Sequence, residues 1–213
     1  MDKMDVMKQV LCFGDSNTYG LIPKSEDRYP WEIRWTGILN EKLGLKNYRV
    51  IEEGLPGRTT IFDDPLRKGR CGEQMLPVIL ETHRPIDIVT VMLGTNDCKT
   101  VYGATAEIIG KGMYNIINQI HTYAKGSKIL LISPIHLGEE VWKKDYDPEF
   151  SAQSVVVSKQ LADVYRRVSE KKNTYFLDAA SYANPCGIDQ EHLDEDGHRL
   201  LAEGVYNKIK EML

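Results

Sequence analysis

The fold is decided by the stretch Val10-Leu11-Cys12-Phe13-Gly14-Asp15-Ser16-Asn17-Thr18-Tyr19-Gly20, in which a short apolar run breaks at Gly14 into polar and small residues. This pattern is typical of a buried strand that ends in a tight turn and continues into a helix or a loop. In open α/β sheets the ligand crevice lies at the carboxyl ends of the strands. The pattern therefore places Ser16 where such a protein binds its ligand.

Apolar runs of strand length recur along the chain and alternate with segments of helical periodicity. Strands are predicted over Gln9–Phe13, Tyr48–Glu52, Ile86–Leu93, Lys128–Ser133 and Thr174–Asp178. Helices are predicted over Trp31–Leu43, Glu73–His83, Ala104–Ala124, Ser151–Lys171 and Asp196–Met212. Such alternation predicts a parallel sheet with helices on both faces. We expect one domain over residues 1–213, a three-layer α/β/α sandwich with a flavodoxin-like five-stranded sheet in the order 2-1-3-4-5.

The composition is ordinary for a globular protein and argues against several classes. The 213 residues are 42% hydrophobic and 27% charged, and the net charge of -4 gives no reason to expect a nucleic-acid partner. No run approaches the roughly 20 apolar residues of a membrane-spanning helix, and Met1–Gln9 lacks the apolar core of a signal peptide. The four cysteines are scattered and no histidine has zinc-ligand spacing, which predicts reduced thiols and no metal site. We therefore expect a cytoplasmic protein that binds no membrane.

Two segments of the chain are long, charged and aromatic, and neither has a helical or strand pattern. They are Pro23–Pro30 and Ile135–Phe150, and both follow the carboxyl end of a predicted strand. Long connections in compact domains often carry function. We expect the two connections to wall the same crevice.

Candidate hydrogen-bond donors follow the second and third predicted strands. Gly54 lets a main-chain N–H approach a substrate oxygen without interference from a Cβ atom. Asn96, in Leu93-Gly94-Thr95-Asn96-Asp97, offers a neutral amide donor suited to an oxyanion. By itself, Gly-Leu-Pro-Gly after the second strand is better explained as a turn, and Asn-Asp after the third strand can instead be a helix cap.

Asp189 and His192 lie three positions apart in the loop before the final predicted helix. In a turn at this spacing the carboxylate reaches the imidazole Nδ1 and leaves Nε2 free. An isolated Asp-x-x-His is more often a solvated loop. His198 is the rival base, because several carboxylates precede it, but it falls inside the predicted helix.

The co-occurrence of these blocks at successive strand ends predicts a nucleophilic serine with its partners. Ser16 is the candidate nucleophile, His192 its base and Asp189 the acid that orients the base. The oxyanion hole is predicted from the N–H groups of Ser16 and Gly54 and the side-chain amide of Asn96. The substrate pocket is predicted to include Asn17, Tyr19, Trp31 and His136.

With these blocks placed, the chain resembles the SGNH hydrolases of the GDSL family. The name-giving Ser, Gly, Asn and His match Ser16, Gly54, Asn96 and His192, and Asp189 matches the acid. Further blocks are similar to the arylesterase and acyltransferase branch: Cys12–Ser16, Arg34–Gly37, Ile51–Leu55, Arg58–Thr60, Asp63–Pro65 and Met92–Asp97. The resemblance implies the SGNH hydrolase fold, ester hydrolysis without a metal or cofactor, a homo-oligomer and, for some members, acyl transfer to alcohols. The chain departs from the GDSL signature at its fourth letter, where Asn17 replaces Leu.

The predicted function is therefore that of a serine esterase for short-chain acyl esters. Its partner would be a small-molecule ester, such as an acetyl, aryl or alkyl ester or an acetylated carbohydrate. A lysophospholipase or thioesterase is the alternative within the family. An alternative from another class is a flavodoxin-like module that binds a nucleotide or phosphate, but the chain lacks a Gly-x-Gly-x-x-Gly or Walker-type loop.

Overall fold

The computed structural model describes residues 7–213, which contain a five-stranded parallel sheet. The strands are β1 (Lys8–Gly14), β2 (Tyr48–Gly54), β3 (Ile88–Met92), β4 (Lys128–Ser133) and β5 (Tyr175–Asp178). Their order is β2-β1-β3-β4-β5 and every neighbouring pair is parallel. The predicted sheet type and strand order are confirmed. Residues 1–6 of the predicted domain, and of the Met1–Gln9 segment, lie outside the described residues.

In the described part of the chain, six α-helices surround the sheet. They are α1 (Ser16–Tyr19), α2 (Trp35–Leu43), α3 (Gly72–Thr82), α4 (Ala106–Tyr123), α5 (Ala152–Lys172) and α6 (Glu195–Met212). One apolar cluster joins α3, α4 and α5 to one face of the sheet, and a second joins α2 and α6 to the other face. The sheet is the middle layer of a sandwich. None of the helices in residues 7–213 combines the length and the apolar composition needed to cross a bilayer.

Strand β1 lies inside the sheet and shows why its sequence is almost continuously apolar. Leu11 and Phe13 join the cluster with α3 to α5, whereas Val10 and Cys12 join the cluster with α2 and α6. Successive side chains of a strand point to opposite faces, and both faces of this sheet are covered by helices. Every side chain from Val10 onward in β1 is therefore buried.

Helix α2 begins later than predicted, at Trp35 rather than at Trp31. The preceding residues form a turn in which the Arg34 N–H donates to the Pro30 carbonyl at 3.3 Å. No side chain caps the start of the helix. Because a capping residue is the usual sequence signal for a helix start, nothing in the sequence marks Trp35 as the first helical residue.

The strand ends are brought side by side by the register of the sheet. Gly14, at the end of β1, is the partner of Gly54 in β2 and of Met92 in β3. Residues that follow these positions therefore meet at one edge of the sheet. Ser16 and Asn96 are two such residues, and the loop before α6 closes over the same edge.

Candidate active site

Ser16 is the first residue of α1 and follows directly on the turn at the end of β1. A Cβ atom on Gly14 would lie 2.1 Å from the Thr18 hydroxyl oxygen, so only glycine fits this turn. Asp15 caps the helix, because its Oδ1 accepts the Asn17 N–H at 3.0 Å. Burial raises the pKa of Asp15 to about 7. Asp15 therefore stabilises the turn that places Ser16 at the start of α1.

Ser16, His192 and Asp189 form one continuous hydrogen-bonded chain, although 176 positions separate the serine from the histidine. The Ser16 Oγ lies 2.9 Å from His192 Nε2, and His192 Nδ1 lies 2.8 Å from Asp189 Oδ2. An ionised carboxylate can only accept, so Nδ1 carries a hydrogen, and in the neutral imidazole the Nε2 lone pair faces the serine hydroxyl. This is the arrangement of a nucleophile, a general base and an orienting acid.

The loop that carries the acid and the base folds back on the Asp189 carboxylate. Its Oδ1 accepts the backbone N–H groups of Glu191 at 3.0 Å and of His192 at 2.9 Å. Gln190, between them, takes a φ of 62°. Farther along, the Cys186 N–H donates to the His192 carbonyl at 2.8 Å. The loop therefore has the turn-like conformation that the three-residue spacing predicts.

The charges of the acid and the base stabilise each other inside the protein. Burial raises the pKa of Asp189, but hydrogen bonding and the charge of His192 outweigh it and hold this pKa at about 2. Burial lowers the pKa of His192, but the carboxylates of Glu191, Asp189 and Asp15 outweigh it and raise this pKa to about 9. The environment therefore favours an ionised Asp189 and an imidazolium form of His192.

Gly54 allows β2 to end against the helix that carries Ser16. A Cβ atom on Gly54 would lie 2.1 Å from the backbone nitrogen of Tyr19. A larger residue would push the strand end away from α1. Glycine at this position is thus explained by a close backbone approach next to the candidate nucleophile.

Asn96 and the nucleophile turn are linked through Arg58. The Asn96 Nδ2 donates to the Arg58 carbonyl at 3.1 Å, and the Arg58 guanidinium donates to the Gly14 carbonyl at 2.8 Å. The Asn96 amide carries a second hydrogen that this bond does not use. Arg58 therefore ties three strand ends together, and the predicted oxyanion donors lie at the edge of the sheet that carries Ser16.

The rival base, His198, has a different environment. It is buried in α6, and its Nδ1 accepts the Trp35 N–H at 3.3 Å. Its ring lies edge-on to Tyr29 with the centroids 5.4 Å apart. Burial lowers the pKa of His198 to about 3, so the ring is neutral at physiological pH. His198 binds the start of α2 and not the candidate nucleophile.

A crevice of about 520 Å³ opens beside Asp189, Glu191 and His192. The connection that follows α1 supplies Leu21, Lys24, Ser25 and Glu26 to its wall, and the connection that follows β4 supplies Tyr146 and Asp147. The Lys24 ammonium donates to the Tyr146 carbonyl at 3.3 Å. The two long connections therefore meet at the crevice, as their positions in the sequence predict.

The role of the predicted pocket residues in substrate binding stays a prediction. Within the described chain, the wall of this crevice contains none of Asn17, Tyr19, Trp31 and His136. The Tyr19 ring lies under the Arg28 guanidinium at 4.4 Å from its centroid, and Trp31 is 38% exposed on the turn before α2. His136 is half-buried. The sequence indicates which residues are near Ser16, but not which way their side chains point.

Asn17 holds the loop that carries His192. Its Nδ2 donates to the Glu191 carbonyl at 3.3 Å, and its Oδ1 accepts the Leu193 N–H at 2.9 Å. The two bonds bracket His192 on either side. The only signal for this in the sequence is that Asn17 departs from the Leu of the GDSL signature.

Replacing Asn17 with leucine, the residue of the signature, is expected to destabilise the protein. It leaves the buried Leu193 N–H and Glu191 carbonyl without their partner, which costs about 1–3 kcal/mol of unfolding free energy. For a chain of this length we expect a fall in melting temperature of about 2–4 °C per kcal/mol, measured by thermal denaturation. Asn115→Leu, on the exposed surface of α4, is the control and should change stability by less than about 0.5 kcal/mol. Equal melting temperatures for the two variants would contradict the role of Asn17.

Two further residues of the site carry no motif that would have identified them. Gln190 joins the loop to the second connection, because its Oε1 accepts the Glu140 N–H and its carbonyl accepts the Gly138 N–H, both at 2.8 Å. Glu191 Oε1 lies 3.9 Å from His192 Nε2. The signal for Glu191 was its position directly before the candidate base.

In the described part of the chain, no group of three His, Cys, Asp or Glu side chains is arranged to hold a metal ion.

Comparisons with known proteins identify the family and the fold of the chain. The model of the GDSL-like Lipase/Acylhydrolase family matches residues 12–200. A structure of the native M. smegmatis aryl esterase is 34% identical over 97% of this chain and 100% of its own, with a TM-score of 0.89. Est24, a carbohydrate acetylesterase from Sinorhizobium meliloti, is 34% identical over 97% of this chain and 100% of its own, with a TM-score of 0.88.

A more distant structure shares the fold. The lipase/acylhydrolase from Enterococcus faecalis is 21% identical, covers 97% of both chains and has a TM-score of 0.70. Among curated protein sequences, none matches the chain significantly. The family and the fold therefore rest on the family model and on the solved structures.

Proposed function

Because the chain belongs to the GDSL-like lipase/acylhydrolase family, we propose that it is a serine esterase for short-chain acyl esters that works through Ser16, His192 and Asp189. The family and the esterase neighbours make it a carboxylic ester hydrolase. The observation that carries the proposed triad is the chain of contacts of 2.9 Å from Ser16 to His192 and 2.8 Å from His192 to Asp189. These are hydrogen-bond distances for proton transfer and for orienting the base.

The proposed reaction has two steps. In the first, the Ser16 Oγ attacks the ester carbonyl while its proton moves to His192 Nε2, and the oxyanion accepts hydrogen bonds from Ser16, Gly54 and Asn96. When the intermediate collapses, the proton passes to the leaving alcohol and an acyl-serine remains. In the second step His192 takes a proton from water as the water attacks the acyl-serine. The acyl–Oγ bond then breaks, the proton passes from His192 to the Ser16 Oγ, and the acid leaves. An alcohol in place of water gives acyl transfer.

The size and the charged wall of the crevice favour an ester substrate with a polar alcohol group and a short acyl group. Its volume of about 520 Å³ suits a small molecule. Its wall includes the charged side chains of Lys24, Glu26 and Asp147. Burying a long acyl chain there would gain little, because the gain of about 0.8 kcal/mol per methylene requires an apolar surface. We therefore favour acetylated carbohydrates and small aryl or alkyl esters over lysophospholipids and acyl thioesters.

A panel of p-nitrophenyl esters tests the proposed acyl preference. With increasing acyl length from acetate to decanoate, we expect kcat/KM to fall by about tenfold or more, because Leu21 and Tyr146 offer extra methylenes little apolar surface among the charged side chains of the wall. Methanol as acceptor is expected to divert part of the acyl group into a methyl ester, measured by gas chromatography. The Ser16→Ala protein is the control for spontaneous hydrolysis. A kcat/KM that rises with chain length would instead favour the lysophospholipase or thioesterase alternative.

A further inference from the structure

The Glu191 carboxylate faces the reactive nitrogen of the candidate base from the crevice side. Its Oε1 lies 3.9 Å from His192 Nε2, whereas Asp189 contacts the opposite nitrogen, Nδ1. The Glu191 side chain is only 9% exposed. Its backbone N–H and carbonyl are hydrogen-bonded, but among residues 7–213 no donor forms a hydrogen bond with its carboxylate. Burial raises the pKa of this carboxylate, and the nearby charge of His192 opposes that shift and favours the ionised form.

His192 is the best-placed cation for this carboxylate. Apart from each other, the charged or titratable groups that act most strongly on Glu191 and His192 include Asp15, Lys99, Asp147, Asp189 and His198. Three of these are acids and His198 is neutral at physiological pH. The Lys99 ammonium is the remaining cation, and it forms an ion pair with Glu149. Charge compensation of Glu191 therefore depends most on the imidazole of His192.

We propose that Glu191 is a positioning residue that acts through His192 and stabilises its imidazolium form from the crevice side. The inference rests on the proposed function, in which the Ser16 proton moves to Nε2 as the Oγ–carbonyl bond forms. Positive charge then develops on the ring between two carboxylates, Asp189 at Nδ1 and Glu191 near Nε2. Glu191 itself neither gains nor loses a proton in this step.

The predicted consequence is an alkaline activity profile. Only neutral His192 accepts the serine proton, so kcat/KM rises with pH through the pKa of this residue in the free enzyme. That pKa is raised to about 9, and the charge of Glu191 contributes to the rise together with the hydrogen bond and the charge of Asp189. Without the Glu191 charge, the neutral form persists to lower pH.

The test is the isosteric substitution Glu191→Gln. We expect the acid limb of the kcat/KM profile for p-nitrophenyl acetate to move to lower pH by about one unit or more. The His192 imidazole, followed by NMR across the same pH range, is expected to shift its midpoint equally. Glu191→Asp keeps the charge and should give a limb between those of Glu191→Gln and the unchanged protein. Glu195→Gln, an exposed change at the start of α6, is the matched control and should leave the limb in place.

The two readouts separate failure of this inference from failure of the proposed function. If Glu191→Gln lowers activity at every pH but moves neither the limb nor the NMR midpoint, Glu191 has only a structural role and the inference is wrong. If the NMR midpoint moves but no form of the protein hydrolyses esters, the charge coupling holds and the proposed function is wrong.

Discussion

Replacing Ser16 with alanine is expected to lower kcat for p-nitrophenyl acetate by about 10⁴-fold or more, because the substitution removes the atom that forms the acyl-enzyme. Activity that remains would come from substrate binding and the oxyanion donors alone. The fold is expected to survive, since among residues 7–213 the Ser16 hydroxyl forms a hydrogen bond only with His192. Steady-state kinetics and circular dichroism measure the two expectations.

A second buried serine gives a matched control for this prediction. Ser169 lies near the end of α5, and its hydroxyl donates to the Thr174 carbonyl at 2.7 Å, before β5 begins. This position is at the opposite edge of the sheet from Ser16. Ser169→Ala makes the same chemical change and should keep kcat. Full activity in Ser16→Ala would rule out Ser16 as the nucleophile.

Replacing His192 with alanine is expected to lower kcat about as much as loss of the serine, because the members of a triad act as a unit. Without the imidazole, no other side chain of the described residues lies within hydrogen-bond distance of the Ser16 hydroxyl to take its proton. The Asp189 carboxylate keeps its bonds to the backbone of the loop, so the loop should retain its shape. The measurement is kcat over a wide pH range, so that a displaced pH–activity profile is not mistaken for a loss of kcat.

His198 is the matched comparison for His192. In His198→Asn the side-chain oxygen can replace Nδ1 as acceptor for the Trp35 N–H, so the start of α2 stays in place. We expect this variant to keep most of its kcat. If His198→Asn were inactive and His192→Ala active, the base would be His198 and the assignment of the loop histidine would be wrong.

The sheet was predictable because its strands are buried on both faces. Strands of this kind are short apolar runs, and β1 shows the pattern from Val10 to Phe13. Alternation of such runs with helical segments leaves few topologies. The site was predictable where it depends on strand ends or on short spacing, as for Ser16 after β1 and for Asp189 three positions before His192.

The remaining features depend on contacts between distant parts of the chain. Asn17 binds a loop 176 positions away at Leu193, and no local pattern indicates this pairing. The directions of the Tyr19 and Trp31 side chains follow from packing against neighbours, not from their distance from Ser16 along the chain. The homo-oligomer and the cytoplasmic location stay predictions, because they involve surfaces and surroundings outside a single chain.

The most direct test of the central claim is to locate the serine that a fluorophosphonate modifies. An activated serine oxygen displaces fluoride and forms a stable bond to phosphorus, whereas an ordinary serine does not react. After digestion and mass spectrometry, we expect the adduct on Ser16 in the unchanged protein and none in Ser16→Ala. The account would be contradicted if the active protein failed to form an adduct with the reagent. It would also be contradicted if the adduct formed on another serine and abolished the activity.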